Sequence, residues 1–181
     1  MAKDQFFWVD IPDDKNYSQS DLEAIGEAVV DYVRERTQDG KSWRNRSFAG
    51  YSESYAKSLD FKIAGKSKGD VNLTLSGDML GALEVLAVKR GRIKIGIDAG
   101  KFPQEAGKAE GNILGTYGQS KPVGPKRDFL GITKADLNRI LDQFTPEDSE
   151  ANSEADNALR RTRGSLSTGF DDGEGEDDGN T

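Results

Sequence analysis

The sequence predicts an α+β fold: a small, twisted antiparallel sheet with two helices packed on one face. Three observations carry it. Leu83–Lys89 and Arg92–Ile97 flank Arg90-Gly91 as a tight hairpin, and Ile93, Ile95 and Ile97 alternate strictly with Arg92, Lys94 and Gly96, so one face is buried and the other wet. Leu22, Ile25, Val29, Tyr32 and Val33 recur at helical spacing. A second stripe, Leu137, Ile140, Leu141 and Phe144, does the same near the end of the apolar sequence, and two such stripes need a sheet face to cover.

Taken in order, Phe6, Phe7, Trp8 and Val9 form an apolar patch broken by Pro12-Asp13-Asp14. Residues 1–19 read as an N-terminal arm that docks on a neighbouring subunit, or alternatively as an edge strand folding back on its own domain. Ser20-Asp-Leu-Glu23 predicts a capping box for the first helix, and Asp39-Gly40 its left-handed stop. From Lys41 to Lys68 Trp43, Phe48, Tyr51, Tyr55 and Phe61 are interleaved with Arg44, Arg46 and five lysines. Such a segment is a contact to a subunit or a channel, a loop anchored by its own aromatics, or a single-strand nucleic-acid site built on charge and stacking.

Val71, Leu73 and Leu75 predict a further strand, closed by a Ser76-Gly77-Asp78 turn. Gln104–Glu110 reads as a short helix weakened by Gly107, Ile113–Tyr117 as another strand, and Lys121–Arg127, with its two prolines, as a loop. Thr133-Lys-Ala-Asp136 caps the last helix and Pro146 ends it. The domain thus spans 20–144, followed by an acidic, low-complexity tail over 145–181.

The net charge of −7 is unevenly placed. The tail holds eleven acids against three arginines, a net of −8, which leaves residues 1–144 with 22 basic and 21 acidic side chains, or +1. Glycine is abundant at 21 residues, and a chain of 181 allows one modest core. After Gly164 the composition buries too little apolar area to order itself. The chain has no cysteine and no histidine, which removes disulfides, thiolate metal sites and the commonest general base. No apolar run approaches the roughly 20 residues that span a bilayer, and the N-terminus lacks the apolar stretch of a signal peptide. The expectation is synthesis in the cytoplasm, with no membrane association.

Motifs for catalysis fail on inspection. Gly96-Ile-Asp-Ala-Gly-Lys-Phe102 is one residue short of a phosphate loop and ends in Phe where Ser or Thr would hold magnesium. The acids from Asp171 to Asp178 lack the ligand order of an EF-hand. No carboxylate pair is singled out for glycoside chemistry. No catalytic, cofactor or metal residue is assigned, and no enzymatic activity is expected.

What remains is an ordered set: a capped helix, Tyr51-Ser-Glu-Ser-Tyr-Ala56, the Leu75-Ser-Gly77 turn, a hairpin, and Arg127-Asp-Phe-Leu-Gly131. This set resembles the virion-morphogenesis proteins of tailed bacteriophages, which complete the tail or join it to the head. The resemblance covers residues 20–144 and departs at the acidic tail. It implies a structural virion protein made in the host cytoplasm: a neck or tail-completion subunit forming a homo-oligomeric ring, six- or twelve-fold. Its neighbours would be head connector or adaptor proteins on one side and tail terminator or tube proteins on the other, with non-specific contact to channel DNA. Phe6, Phe7, Trp8, Trp43, Arg44, Phe48, Tyr51, Tyr55 and Arg127 are the expected partner-contacting residues. For Arg127 a plain surface ion pair is the alternative. A tail terminator, a head-completion adaptor and a nucleic-acid-binding accessory protein are the other functional readings.

Overall fold

The structure, a computed structural model, describes residues 3–144 apart from 13–14, 52, 64, 66, 68, 70, 74–77 and 90. Met1–Phe144 forms one compact unit, and the fold is α+β, as the alternation and the two stripes predict. In chain order it comprises β1 (Gln5–Asp10), α1 (Gln19–Gln38), α2 (Glu53–Ala56), α3 (Leu59–Ile63) and α4 (Asp78–Gly81). Then follow β2 (Glu84–Lys89), β3 (Arg92–Ile97), α5 (Pro103–Leu114) and α6 (Lys134–Leu141).

The sheet is antiparallel in the order β1-β3-β2. β3 is central because its isoleucines fill the core: Ile93, Ile95 and Ile97 are wholly buried. Phe7 pairs with Ile95 and Val9 with Ile93, while Trp8 stands opposite Lys94 on the outer face. The hairpin register carries a bulge between Val85 and Ala87. Gly96 is obligatory, since a Cβ there would lie 2.6 Å from the Cβ of Phe6.

The third strand is β1: of the two readings of the N-terminal stretch, the edge strand folding back on its own domain holds for Gln5–Asp10, and that segment is not an extended arm. The strand expected at Val71–Leu75 is corrected too where it is described. Leu73 adopts φ 52°, which a β ladder does not accommodate, and Val71 is buried in a separate cluster. Leu75 and the Ser76-Gly77 part of its turn lie outside the described residues, as do Arg90 of the hairpin and the 145–181 tail.

α1 begins two residues before the expected box. Ser18 is the N-cap, its Oγ accepting from the Asp21 amide at 3.1 Å while Asp21 accepts from the Ser18 amide at 2.9 Å. Tyr17 and Leu22, at the positions of a hydrophobic staple, both pack on the core, which fixes this start over the later one. Asp39 and Gly40 end the helix as predicted, Gly40 at φ 75°. On the opposite face Leu22, Ile25, Val29, Val30 and Val33 are buried. Gly26 lies where α1 approaches the sheet most closely: a Cβ there would meet Val85 Cγ2 at 2.8 Å.

α6 is capped by Thr133, as expected, and takes its place by packing on α1. α5 runs from Pro103 to Leu114, longer than the predicted Gln104–Glu110, and ends at Gly115 with φ 74°. Its last turn holds Ile113 and Leu114, so the strand expected at Ile113–Tyr117 is corrected to a helix end and turn. Among the described residues no helix is long and apolar enough to cross a membrane.

Candidate interaction surface

Among its described residues the segment after α1 has no regular strand, yet it carries a core of its own. Tyr51, Phe61 and Val71 are buried together, with Phe48, Tyr55, Ala56 and Leu73 packed around them. The three rings form a closed triangle: Tyr51–Tyr55 5.2 Å, Tyr51–Phe61 5.3 Å and Tyr55–Phe61 5.4 Å between centroids. Tilted and edge-on contacts of this kind are attractive beyond the area they bury. Tyr51, Tyr55 and Phe48 therefore anchor the loop to the domain. Burial pushes the Tyr51 phenol up, with the neighbouring Tyr55 adding to it.

Arg127 is the bolt of this arrangement. It is 4% exposed. One guanidinium nitrogen donates to the Tyr117 hydroxyl, and another to the carbonyls of Ala49 at 3.3 Å and Gly50 at 3.2 Å. Its plane lies over Tyr51 at 5.1 Å and near Tyr117 at 5.5 Å. The Tyr117 hydroxyl donates in turn to Pro125 O at 2.5 Å, which ties the 115–126 loop into the same knot. The guanidinium is thus neither in a surface ion pair nor open to a neighbouring subunit in this conformation: its two terminal nitrogens are engaged by loop backbone and a phenol, and its Nε is buried without a partner among the described residues.

The rest of the Arg127–Gly131 stretch is held from the other side. Arg36, a buried arginine of α1, donates to Phe129 O and, at 2.9 Å, to Gly131 O. Burial pushes the Arg36 guanidinium down, against the Tyr32 and Asp136 oxygens. Trp43 donates from its amide to Asp128 O at 3.1 Å and from its indole to Asp128 Oδ2 at 2.7 Å. Its ring lies against Gly131, where a Cβ would come within 3.1 Å of Trp43 Cγ. Arg44 stacks on that ring at 4.4 Å.

Beside this clamp lies a cavity of about 320 Å³ lined by Tyr32, Arg36, Asn45 and Asp136 among others. Asp136 is buried, yet both its oxygens are taken. Oδ2 accepts from Thr133 Oγ1 at 2.6 Å and Asn45 Nδ2 at 2.9 Å, and Oδ1 faces Arg139 at 3.2 Å. Burial drives its carboxyl up, but the hydrogen bonds of Thr133, Asn45 and Tyr32 with the Arg139 charge outweigh that and hold it below the ordinary value. A carboxylate so occupied ties α1, the 41–48 loop and α6 together and is poorly placed to take a substrate proton. Among the described residues no group of three or more acids could hold a metal ion.

The outer sheet face gathers the other expected contacts. Phe6 is 45% exposed, with Lys94 Nζ 4.0 Å from its ring centroid. Trp8 carries Arg92 at 4.4 Å and Lys89 at 5.6 Å. Acids accompany the cations: Asp10 lies 3.6 Å from Arg92, Asp4 3.7 Å from Lys94, and Glu84 2.8 Å from Lys101. Phe7 packs on the core instead. Of the nine expected residues, Phe6 and Trp8 share one face, Trp43 and Arg44 share another patch, and Phe7, Phe48, Tyr51, Tyr55 and Arg127 work inside the domain.

Sequence reasoning passed over the most exposed large apolar side chains among the described residues. Leu59 is 71% and Ile63 76% exposed, four residues apart on α3 and so on one side of it. Leu114, Tyr117 and Val123 are also exposed, and the Val123 amide bonds Gly115 O at 2.9 Å, which holds that loop against the end of α5. The i, i+4 spacing of Leu59 and Ile63 was visible in sequence but sits in a five-residue helix with no longer period to flag it. No protein-family model, curated protein or solved structure matches this chain.

Proposed function

We propose that the protein is a structural subunit of a tailed-phage neck, a tail-completion protein that forms a ring between the head connector and the tail. The observation that supports this reading is the joining of two distant pieces of the phage-like pattern. Arg127 of Arg-Asp-Phe-Leu-Gly lies over Tyr51 of Tyr-Ser-x-x-Tyr-Ala and bonds the carbonyls just before it. Two pieces of the pattern that are far apart in sequence are therefore in direct contact in the fold. Exposed apolar side chains on α3 and at the end of α5 give such a subunit surfaces to place against neighbours. Tail terminator and head-completion adaptor rings would use the same surfaces and differ only in which neighbour they meet.

The nucleic-acid alternative has less support. Four of its five proposed stacking residues in the 41–68 segment, Phe48, Tyr51, Tyr55 and Phe61, are packed on one another, the fifth, Trp43, is tied to Asp128 and covered by Arg44, and the cations over Phe6 and Trp8 are accompanied by acids.

The test is deletion of the gene in a lysogen or phage genome that encodes this chain, followed by electron microscopy of the lysate. The expected result is separate heads and tails, or unfinished tails, with joining restored by expression in trans. Normal infectious particles from the deletion would overturn the reading.

A further inference from the structure

Among the described residues both sides of β3 are filled, but β1 and β2 are each paired on one side only. Among the described residues, no backbone hydrogen bond from any other element reaches Gln5–Asp10 or Glu84–Lys89. Each strand therefore keeps a row of donors and acceptors facing away from the sheet, a ready template for another strand.

The two open edges match one another. Each strand has six residues. Both run antiparallel to β3, so they run parallel to each other. They also end level, because Asp10 and Lys89 both stand opposite Arg92 and on the same outer face. We propose that the open edge of β2 takes β1 of a second copy of this chain, in parallel register, joining copies head to tail.

Charge and regularity favour this pairing over the two-fold alternatives. Head-to-tail addition sets Asp10 of one copy beside Lys89 of the next. The Asp10 side chain is 81% exposed and has only a 3.6 Å contact with Arg92; Lys89 is exposed on the same face. Joining β2 to β2 would set two bulges against each other, since the irregularity lies at Val85/Ala87 in every copy. β1 carries no bulge and is the better strand to add. A two-fold pair also uses one kind of edge and leaves the other open, whereas head-to-tail contact uses both and closes a ring when the rotation permits. The contact would supply the ring of the neck reading, yet it is decided on the purified protein alone.

The chain has no cysteine, so engineered pairs report cleanly. Within one copy, positions 10 and 89 are separated by β3, about 10 Å across two strand spacings, beyond the roughly 7 Å reach of a disulfide. Full-length Asp10→Cys and Lys89→Cys proteins would be purified, mixed and oxidised, alongside each alone and a variant carrying both. The expected result is a cross-linked dimer from the mixture at least about five-fold more abundant than from either protein alone. The doubly substituted chain should give a ladder of oligomers. Dimers formed equally well by either single variant, or no cross-link in the mixture, would overturn the proposal. If the cross-link fails while gene deletion still separates heads from tails, the edge pairing falls and the neck reading stands.

Discussion

Arg127 lies with its guanidinium 5.1 Å from the centroid of the Tyr51 ring, and between them in sequence stand the whole hairpin and α5. The pairing is a cation placed on an aromatic face in a dry setting, where such contacts are strongest. It holds two irregular loops that have no ladder of their own.

Arg127→Lys is expected to lower unfolding stability by about 2 kcal/mol or more, because a single ammonium cannot serve Tyr117, Ala49 and Gly50 at once. Urea denaturation measures the loss. Hydrogen exchange should quicken at residues 41–50 and 115–126 while β3 stays protected. Unchanged exchange in those loops would release Arg127 from its clamping role and return it to the pool of subunit contacts.

Two helix glycines should respond in opposite directions. At Gly107 in α5 an added Cβ would have nothing within 4 Å, so Gly107→Ala should stabilise by about 0.5–1 kcal/mol through helix propensity. Gly26→Ala gains the same propensity but drives a methyl into Val85 Cγ2 at 2.8 Å, and overpacking of this kind costs about 1–3 kcal/mol. Thermal melts of the two variants should straddle the parent.

Acid stability should depend on Asp136. Its folded pKa is depressed, so its contribution is complete above the unfolded value of about 3.9. That contribution is lost as pH falls from there through the lower folded pKa. Asp136→Asn should be less stable than the parent at neutral pH, by about 1–3 kcal/mol, with the gap narrowing below about pH 4. Parallel stability–pH curves for the two proteins would show that the carboxylate's charge is not used.

Ile95→Asp should abolish soluble folding, since an unpaired carboxylate would enter a wholly buried position. Lys94→Gln, one residue earlier on the wet face, should stay soluble and melt within a few degrees of the parent. Leu73, half-buried between the two apolar clusters, should fall between them.

Leu59→Ser combined with Ile63→Ser should change stability by less than about 0.5 kcal/mol, as expected for exposed positions. If α3 meets a neighbour in particles, the same pair should reduce incorporation several-fold. Normal incorporation would exclude α3 from that contact. By contrast, alanine at Trp43 and Phe48, attractive from sequence as an interface test, would also remove the indole bond to Asp128 and part of both apolar clusters, so it reports folding first.

The hairpin, α1 and α6 could be read from the chain because each repeats one period and buries one side. Ile93, Ile95 and Ile97 need no knowledge of distant partners to be assigned. The third strand did need it: Phe6–Val9 and Val71–Leu75 are both short apolar runs, and only the Cβ-free position at Gly96 opposite Phe6 makes β1 the better fit against β3. The clamp was hidden for a related reason. Arg36 looks like a surface residue and Asp136 like a helix cap only, yet each also has a partner across the fold: Arg36 and Gly131 are 95 positions apart, and Asn45 and Asp136 are 91 apart. Nothing in local periodicity signals a polar side chain whose burial is made tolerable by a carbonyl so far along the chain.

The pairing of the first strand with β3 has a consequence during synthesis. Gln5 meets Ile97, so at roughly 5–20 residues per second a ribosome delivers the partner several seconds after the strand itself. Throughout that interval the nascent chain displays Phe6, Phe7 and Trp8 with no place to dock. On a polysome, several such chains wait side by side, and the vacant flank of one finished hairpin is equally suited to the leading strand of its neighbour. Exchanged dimers are thus the expected misassembly of this topology, and slowing elongation between the first helix and the hairpin should raise their yield, as native gels of the freshly made protein would read.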